Sequence, residues 1–363
     1  DIMWGGSGDD VYVVDSLADE VHEEATVRES NADATQYVDS LGGIDTVKAS
    51  VTTTLSANVE NLTLTGTNAI DGTGNALGNT IAGNSAANTI IGNDGNDSIT
   101  GGDGNDTLRG NNDDDMLDGG NGNDFLYGGY GNDQLTGGNH NDFLQGLDGN
   151  DTLWGSNGVD TMEGGKGDDW FRVDSASDVV TEQAAEGTDT VESYITYSLG
   201  ANVENLTLLG GTAINATGNA GNNNISGNGS ANTLLGGDGN DMIAGNGGAD
   251  LLKGDGGDDN LSGGDGNDTL FGGGLGDTLT GGAGADSFAF RSGFGNDTIT
   301  DLSVNSDQLD LRYLGLASVA ALDIYDSGSD VMIVVAAGTQ TIRVQGHTEA
   351  ELLAAPSSLW LFA

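Results

Sequence analysis

The stretch Gly101-Gly-Asp-Gly-Asn-Asp-Thr-Leu-Arg109 decides the fold, because it returns every nine residues. Close copies are Gly119-Gly-Asn-Gly-Asn-Asp-Phe-Leu-Tyr127, Gly128-Gly-Tyr-Gly-Asn-Asp-Gln-Leu-Thr136, Gly236-Gly-Asp-Gly-Asn-Asp-Met-Ile-Ala244 and Gly263-Gly-Asp-Gly-Asn-Asp-Thr-Leu-Phe271. One block holds frame from Gly74 to Arg172, eleven units without insertion or deletion. A second runs from Gly218 to Ala289, eight units, and a two-residue slip adds a partial unit from Gly293 to Thr300. A short period held this long marks a chain built by stacking one repeated element.

Two columns of the repeat carry the physics. The eighth position reads Ile81, Ile90, Ile99, Leu108, Leu117, Leu126, Leu135, Leu144, Leu153, Met162 and Phe171, then Ile225, Leu234, Ile243, Leu252, Leu261, Leu270, Leu279 and Phe288. All are apolar in a chain that is only 36% apolar, so this column faces a core. One large apolar residue in nine is too sparse for a helical stripe. It predicts a three-residue strand whose middle side chain points inward.

The sixth position is Asp97, Asp106, Asp115, Asp124, Asp133, Asp142, Asp151, Asp160 and Asp169 in the first block. In the second it is Asp241, Asp250, Asp259, Asp268, Asp277 and Asp286, with Asp297 in the slipped unit. Asp10 holds the same place in Gly5-Gly-Ser-Gly-Asp-Asp-Val-Tyr-Val13. Glycines at positions one, two and four allow positive φ and close backbone approach. Carbonyls of such a turn converge with the carboxylate, and a ligand set of hard oxygens selects calcium over zinc or copper. Stacked without a cation, the aspartates would repel one another.

Composition narrows the functions. The 363 residues include 64 glycines, one proline and no cysteine, and 57 acidic against 9 basic residues give a net charge of −48. Nothing here neutralises a phosphate backbone or binds an anionic membrane through a basic patch, and no run of about 20 apolar residues exists. Composition alone would also suit a disordered chain; the period argues for order.

The pattern G-G-x-G-x-D-x-U-x, with U a large apolar residue, resembles the RTX, or haemolysin-type, calcium-binding repeat. The resemblance implies an all-β, right-handed parallel β-roll, a β-solenoid in which two nonapeptides make one turn. It also implies calcium in the loops between strands, shared by units i and i+2. Asp97, Asp115, Asp133, Asp151 and Asp169 would then line one edge, and Asp106, Asp124, Asp142 and Asp160 the other. Carbonyls of positions one to four would complete the shells, at roughly ten to twelve calcium ions in all. Asn79, Asn88, Asn223 and Asn232 stand where aspartate is expected at the start of each block, so those coils should be metal-poor. Gly110-Asn-Asn-Asp113 and Gly254-Asp255 lose glycines at tight positions, which should weaken those loops.

A longer repeat joins the blocks. Gly5-Gly-Ser-Gly-Asp-Asp-Val-Tyr-Val-Val-Asp-Ser16 matches Gly164-Gly-Lys-Gly-Asp-Asp-Trp-Phe-Arg-Val-Asp-Ser175, and the run Ala57 to Leu64 is identical to Ala201 to Leu208. The first copy holds about fifteen extra residues near Val27 to Leu41. Linkers such as Asp45-Thr-Val-Lys-Ala-Ser-Val51 read as strands continuing the solenoid with wider coils, and resemble linkers of bacterial surface and adhesin-like RTX proteins. The expected organisation is 1–73 as the end of a preceding repeat plus linker, 74–172 as the first roll, 173–217 as linker, 218–300 as the second roll and 301–363 as a β-rich cap. Asp1-Ile-Met-Trp4 reads as the last four positions of a nonapeptide, so the natural chain is expected to continue upstream.

Towards the end, strands are expected at Val331 to Ala336 and Thr341 to Val344, and a helix from Glu349 to Ala355 stopped by Pro356. The segment Ser357 to Ala363 looks like the export signal of type I secretion substrates; equally, it reads as the cap a solenoid end needs.

No catalytic constellation is legible. His22, His140 and His347 are the only histidines, without H-E-x-x-H, without serine in G-x-S-x-G and without a thiol. Phe125, Tyr127, Tyr130, Phe143 and Trp154 cluster at outward or loop positions, and Phe125 and Phe143 should stack. They either cover the sheet or offer a partner a sticky face. The favoured reading is an extracellular or cell-surface structural or adhesive protein of the S-layer, matrix, filament or adhesin kind. It would be exported by a type I route and fold on calcium, with self-association or a surface polysaccharide as possible partners. The alternative is the non-catalytic carboxyl-terminal module of a secreted metalloprotease, lipase or epimerase. A calcium sensor ranks lowest.

Overall fold

The computed structural model describes residues 1–5, 8–23, 28–30, 37–39, 43–335 and 339–362, with backbone alone at 28–30 and 37–39. It comprises two compact units, Asp1–Gly187 and Thr188–Ala363. Each is a stack of parallel strands on two faces.

In the first unit, one face runs through Val11–Val14, Thr46–Ala49, Asn61–Leu64, Thr80–Ala82, Ser98–Asp103, Met116–Asn121, Gln134–Asn139, Thr152–Asn157 and Trp170–Val173, each parallel to the next. The opposite face runs from Thr53–Thr54 through Phe125–Tyr130 and Phe143–Asp148 to Val179–Thr181. Successive nonapeptides therefore alternate between faces, and Leu108 pairs with Leu126, which pairs with Leu144. Every eighth-position residue is at most 1% exposed. Each coil thus adds one large side chain per face to a continuous thin core, the arrangement that makes solenoids depend on their neighbours.

Strands of the regular coils are six residues long rather than three. They pass through the first two glycines because pairing resumes at Gly102 with Gly120 and Asp103 with Asn121. A backbone without Cβ bends there without losing the ladder.

The linker of the first unit consists of coils of the same stack, yet these are not uniformly wider. Asp10 and Asp45 are bonded across 35 residues and Asp45 and Glu60 across only 15, against 18 in the blocks. The narrow coil comes from short corners flanking the two-residue strand Thr53–Thr54. Most of the extra segment near Val27 to Leu41 lies outside the described residues, apart from an antiparallel pair, Arg28–Ser30 with Tyr37–Asp39.

The second unit repeats this plan from Thr190–Ser193 to Asn296–Ile299 on one face and from Tyr197–Ser198 to Gln308–Asp310 on the other. The expected late strands occur at Asp330–Val335 and Gln340–Val344, with Ala336 outside the described residues. The strand Asp323–Ser327 pairs antiparallel with Asp330–Val335 and was not foreseen, since its side chains are largely exposed. The helix Glu349–Ala354 starts in a capping box made by Thr348 and Glu351. Beyond Pro356 the chain returns, and Trp360–Leu361 pairs with Leu309 and Asp310, adding a rung to the stack.

Candidate metal centre

One corner explains all the others. The strand Met116–Asn121 ends at Gly122, whose φ of 149° reverses the chain, and Asp124 stands just before the next strand, Phe125–Tyr130. The Asp124 amide donates to Oδ1 of Asp142 at 2.8 Å. A Cβ added to Gly119 would stand 2.5 Å from Oδ2 of Asp124 and 2.6 Å from the Gly137 carbonyl oxygen. At Gly137 the same two distances, to Asp142 Oδ2 and the Gly155 carbonyl, are 2.5 and 2.8 Å. The first glycine of each repeat is thus a gap in which a carboxylate oxygen and a carbonyl of the next coil converge.

The pattern runs the length of each edge. The Asp97 amide donates to Asp115 at 2.7 Å, Asp115 to Asp133 at 2.8 Å, Asp133 to Asp151 at 2.8 Å and Asp151 to Asp169 at 2.7 Å. On the other edge Asp106 donates to Asp124 at 2.7 Å, and Asp142 to Asp160 at 2.9 Å. In the second unit one row is Asp241, Asp259, Asp277 and Asp297, and the other Asp250, Asp268 and Asp286.

These bonds use Oδ1. Oδ2 is buried without a hydrogen-bond partner at Asp97, Asp106, Asp115, Asp124, Asp133, Asp142, Asp151, Asp160, Asp241, Asp250, Asp259, Asp268, Asp277, Asp286 and Asp297. A buried, unsatisfied carboxylate oxygen is costly, and a row of them calls for cations. The residues fit calcium: every donor is oxygen, charge is abundant, and the glycine gap leaves room beside the carbonyl. Asp169 is buried likewise. Asp10 is only half-buried and belongs to a different arrangement, treated below.

Burial dominates the electrostatics. It pushes Asp97 up to about 7, Asp106 to about 6 and Asp115 to about 8, while the amide from the preceding coil pulls each partly back. Asp297 is likewise pushed to about 8 by burial, with Asp277 and Asp259 adding repulsion. These carboxyls gather protons whenever no metal holds them.

The asparagines that open each block have a structural reason. Beneath Asn79 lies a linker coil that presents carbonyls, and its Nδ2 donates to Val59 and Glu60 at 3.0 and 3.2 Å. Its Oδ1 accepts the Asn75 amide at 2.8 Å. Asn223 bonds Val203, Glu204 and Asn219 in the same way. A carboxylate there would face carbonyls, whereas the amide satisfies them without a cation.

Other residues escaped the sequence reading. Asp178 and Asp307 end two rows, accepting from the amides of Asp160 at 3.2 Å and Asp286 at 3.1 Å. Fifth-position asparagines form their own stack: Asn123 accepts from the Asn141 amide at 3.0 Å, as Asn105 does from Asn123. The loops lacking glycine keep their shape because Asn111, Asp113 and Asp255 adopt φ of 85°, 72° and 71°, which Asn and Asp tolerate best.

Remaining candidates settle elsewhere. His140 takes the fourth-position glycine conformation with φ of 82°, His22 stacks on Trp4 at 4.4 Å, and His347 Nε2 meets the Leu302 carbonyl at 2.7 Å. Phe125 and Phe143 pack with ring centres 6.1 Å apart, and Arg109 lies over Tyr127 at 4.2 Å. Among the described residues no helix is long and apolar enough to cross a membrane.

The family comparison agrees with this geometry. The family profile of the RTX calcium-binding nonapeptide repeat matches residues 1–20, 73–108, 109–144, 136–171, 217–252, 244–279, 253–288 and 276–299. Among solved structures, the AlgE6R3 subunit of the Azotobacter vinelandii mannuronan C5-epimerase is similar at 26% identity and a TM-score of 0.26, over 39% of this chain and 79% of that one. The extracellular lipase LipA of Serratia marcescens is similar at 20% identity and a TM-score of 0.25, over 69% of this chain and 40% of the lipase. No match was found among curated protein sequences. With matches spread over more than half its length, and the glycine gaps and carboxylate rows in place, the chain belongs to the RTX calcium-binding nonapeptide-repeat family.

Proposed function

We propose that the sixth-position aspartates hold calcium between successive coils, roughly ten to twelve ions in all, and that the chain is a structural or adhesive element of the cell exterior. The observation that carries this is the row of buried Oδ2 atoms, with a loop carbonyl of the neighbouring coil beside those of Asp106, Asp124, Asp133, Asp142, Asp241, Asp250, Asp259 and Asp268. Bound calcium supplies charge neutralisation and an oxygen-coordinating centre at those gaps. The carboxylates anchor it, the Oδ1 bonds hold each side chain still, and the glycines keep the approach open. Such ions would cancel about half of the −48 charge, and the remainder keeps the molecules apart in solution.

Coupling of binding to folding explains the absence of cysteine, since metal takes the place of disulfides as staple. In calcium-poor cytosol the chain stays unfolded and fit for export by a type I system; at extracellular calcium of about a millimolar it folds. The linker of the first unit, stacked as coils rather than left as a tether, supports a scaffold over a tail. The alternative, a carboxyl-terminal module of a secreted enzyme, predicts isolated monomers. Electron microscopy of the calcium-loaded protein discriminates them: filaments or sheets support the scaffold, and monomers at all concentrations count against it. The double substitution Phe125→Ser with Phe143→Ser should leave assembly intact if these rings only cover the sheet.

A substitution tests the ligand assignment. Asp133→Asn retains an acceptor for the Asp115 amide and sets an NH2 toward the Gly146 carbonyl, meeting that carbonyl without a cation. It should release one or two calcium ions while keeping β structure, whereas Asp133→Ala should lose the ions and be less stable by about 1–3 kcal/mol more. Equal calcium counts in wild type and Asp133→Asn, measured by equilibrium dialysis, would refute the assignment.

A further inference from the structure

We infer that Asp10, Glu23 and Asp45 form a separate divalent-cation site, made of three side chains instead of a nonapeptide loop pair. This rests on the reading that buried carboxylates of this chain take calcium, and extends it into the linker. The three residues each offer one oxygen, all within 4.8 Å of one another. Calcium–oxygen distances of 2.3–2.6 Å place opposite ligands up to about 5 Å apart, so one ion spans the set.

Asp45 fixes the geometry. It is 1% exposed, its Oδ1 accepts the Asp10 amide at 2.8 Å, and its own amide donates to Glu60 at 2.9 Å. Its Oδ2 is buried without a hydrogen-bond partner. A second orphan lies beside it. The Tyr12 hydroxyl, on a side chain 5% exposed, has no partner, and a Cβ on Gly5 would overlap both that hydroxyl and Oε1 of Glu23.

The reason for a side-chain site is the wide coil. In the regular rows, the carbonyl that fills the gap at a first glycine comes from the residue eighteen positions on, as Gly137 does for Gly119. Eighteen positions after Gly5 stands Glu23, and its carboxylate occupies that place. The other long copy repeats the device within the same unit. Eighteen residues after Gly164 comes Glu182, whose Oε1 accepts the Gly164 amide at 2.8 Å and, with Asp169 Oδ2, overlaps a Cβ on Gly164. A glutamate thus replaces a loop carbonyl wherever a nonapeptide gives way to a linker. Three carboxylates carry more charge than a pair of row carboxylates with carbonyls, so this site fills at lower calcium than the rows.

Native mass spectrometry of the full chain at graded calcium tests this. Wild type should take up its first ions below the concentration that loads the rows. Glu23→Gln and Asp45→Asn should each bind one calcium fewer per molecule, with the row ions and the β signal unchanged. An unchanged count in both variants overturns the site, while a wild type that loads only one or two ions refutes the rows and leaves this site standing. Should a substitution unfold the neighbouring coils, terbium supplies a second reading on the chain without ligand changes. Trp4 stacks on His22, next to Glu23. Trp4→Phe should reduce the sensitised terbium emission that appears first in a titration, leaving only what Trp170 beside Asp169 contributes. An undiminished first emission would equally overturn the site.

Discussion

Stripping calcium with excess chelator at pH 7.5 is expected to abolish most of the β-sheet circular dichroism, and acidifying the same sample to about pH 5 is expected to restore part of it. The sign follows from the buried aspartates. In a metal-free roll burial raises Asp97, Asp142 and Asp277 to about 7 and Asp115 to about 8, above the ordinary 3.8 that applies when the chain is unfolded. Between those values the folded chain binds more protons than the unfolded one, so metal-free stability falls as pH rises. The penalty is absent below about pH 4 and complete above about pH 8. Protons are thus a partial substitute for calcium, and calcium affinity should weaken as pH drops from 8 to 6. A chelated sample whose spectrum is native at pH 7.5 and indifferent to acid would contradict this.

The second large effect concerns a single methyl group. Gly122→Ala should destabilise the first unit by about 3 kcal/mol, because φ of 149° is closed to alanine and the new Cβ would overlap the Gly104 carbonyl oxygen. That oxygen belongs to the backbone of the coil beneath and cannot swing aside, so the stack must open locally. In thermal denaturation with calcium the midpoint should fall on the order of 10 °C. Gly229→Ala is the control: nothing lies within 4 Å of its Cβ position and its φ is not positive. A fall of less than one or two degrees for Gly122→Ala would show that the loops are looser than the stacking requires.

Periodicity explains what was readable in advance. The inward column from Ile81 to Phe288 and the carboxylate rows follow from a frame that never slips within a block, and the structure buries every one of those apolar side chains. Asp307 and Asp45 obey the same physics but stand outside the nine-residue frame, in coils of 15, 35 or about 20 residues, so no column announces them; Asp178 keeps the frame, eighteen residues after Asp160, but its unit has lost every glycine. The pairing of Glu23 with Glu182 in the longer repeat was the one available signal, since both follow a first glycine by eighteen residues. Strand length was misjudged for a different reason. Glycine reads as a strand breaker in sequence, yet in a parallel stack Gly102 and Gly120 keep their ladder bonds because the neighbouring coil bends in step. The opening asparagines, too, were read as weak ligands, while their amides exist to meet carbonyls of the linker coil below.

Crystals grown in calcium, with anomalous differences recorded at a long wavelength, give the most direct measurement. Cations between stacked coils predict peaks at about 2.3–2.6 Å from Oδ2 of the row aspartates and from the facing loop carbonyls. They also predict no such peak at Asn79, Asn88, Asn223 or Asn232. Intact coils with no peaks along the aspartate rows would contradict it.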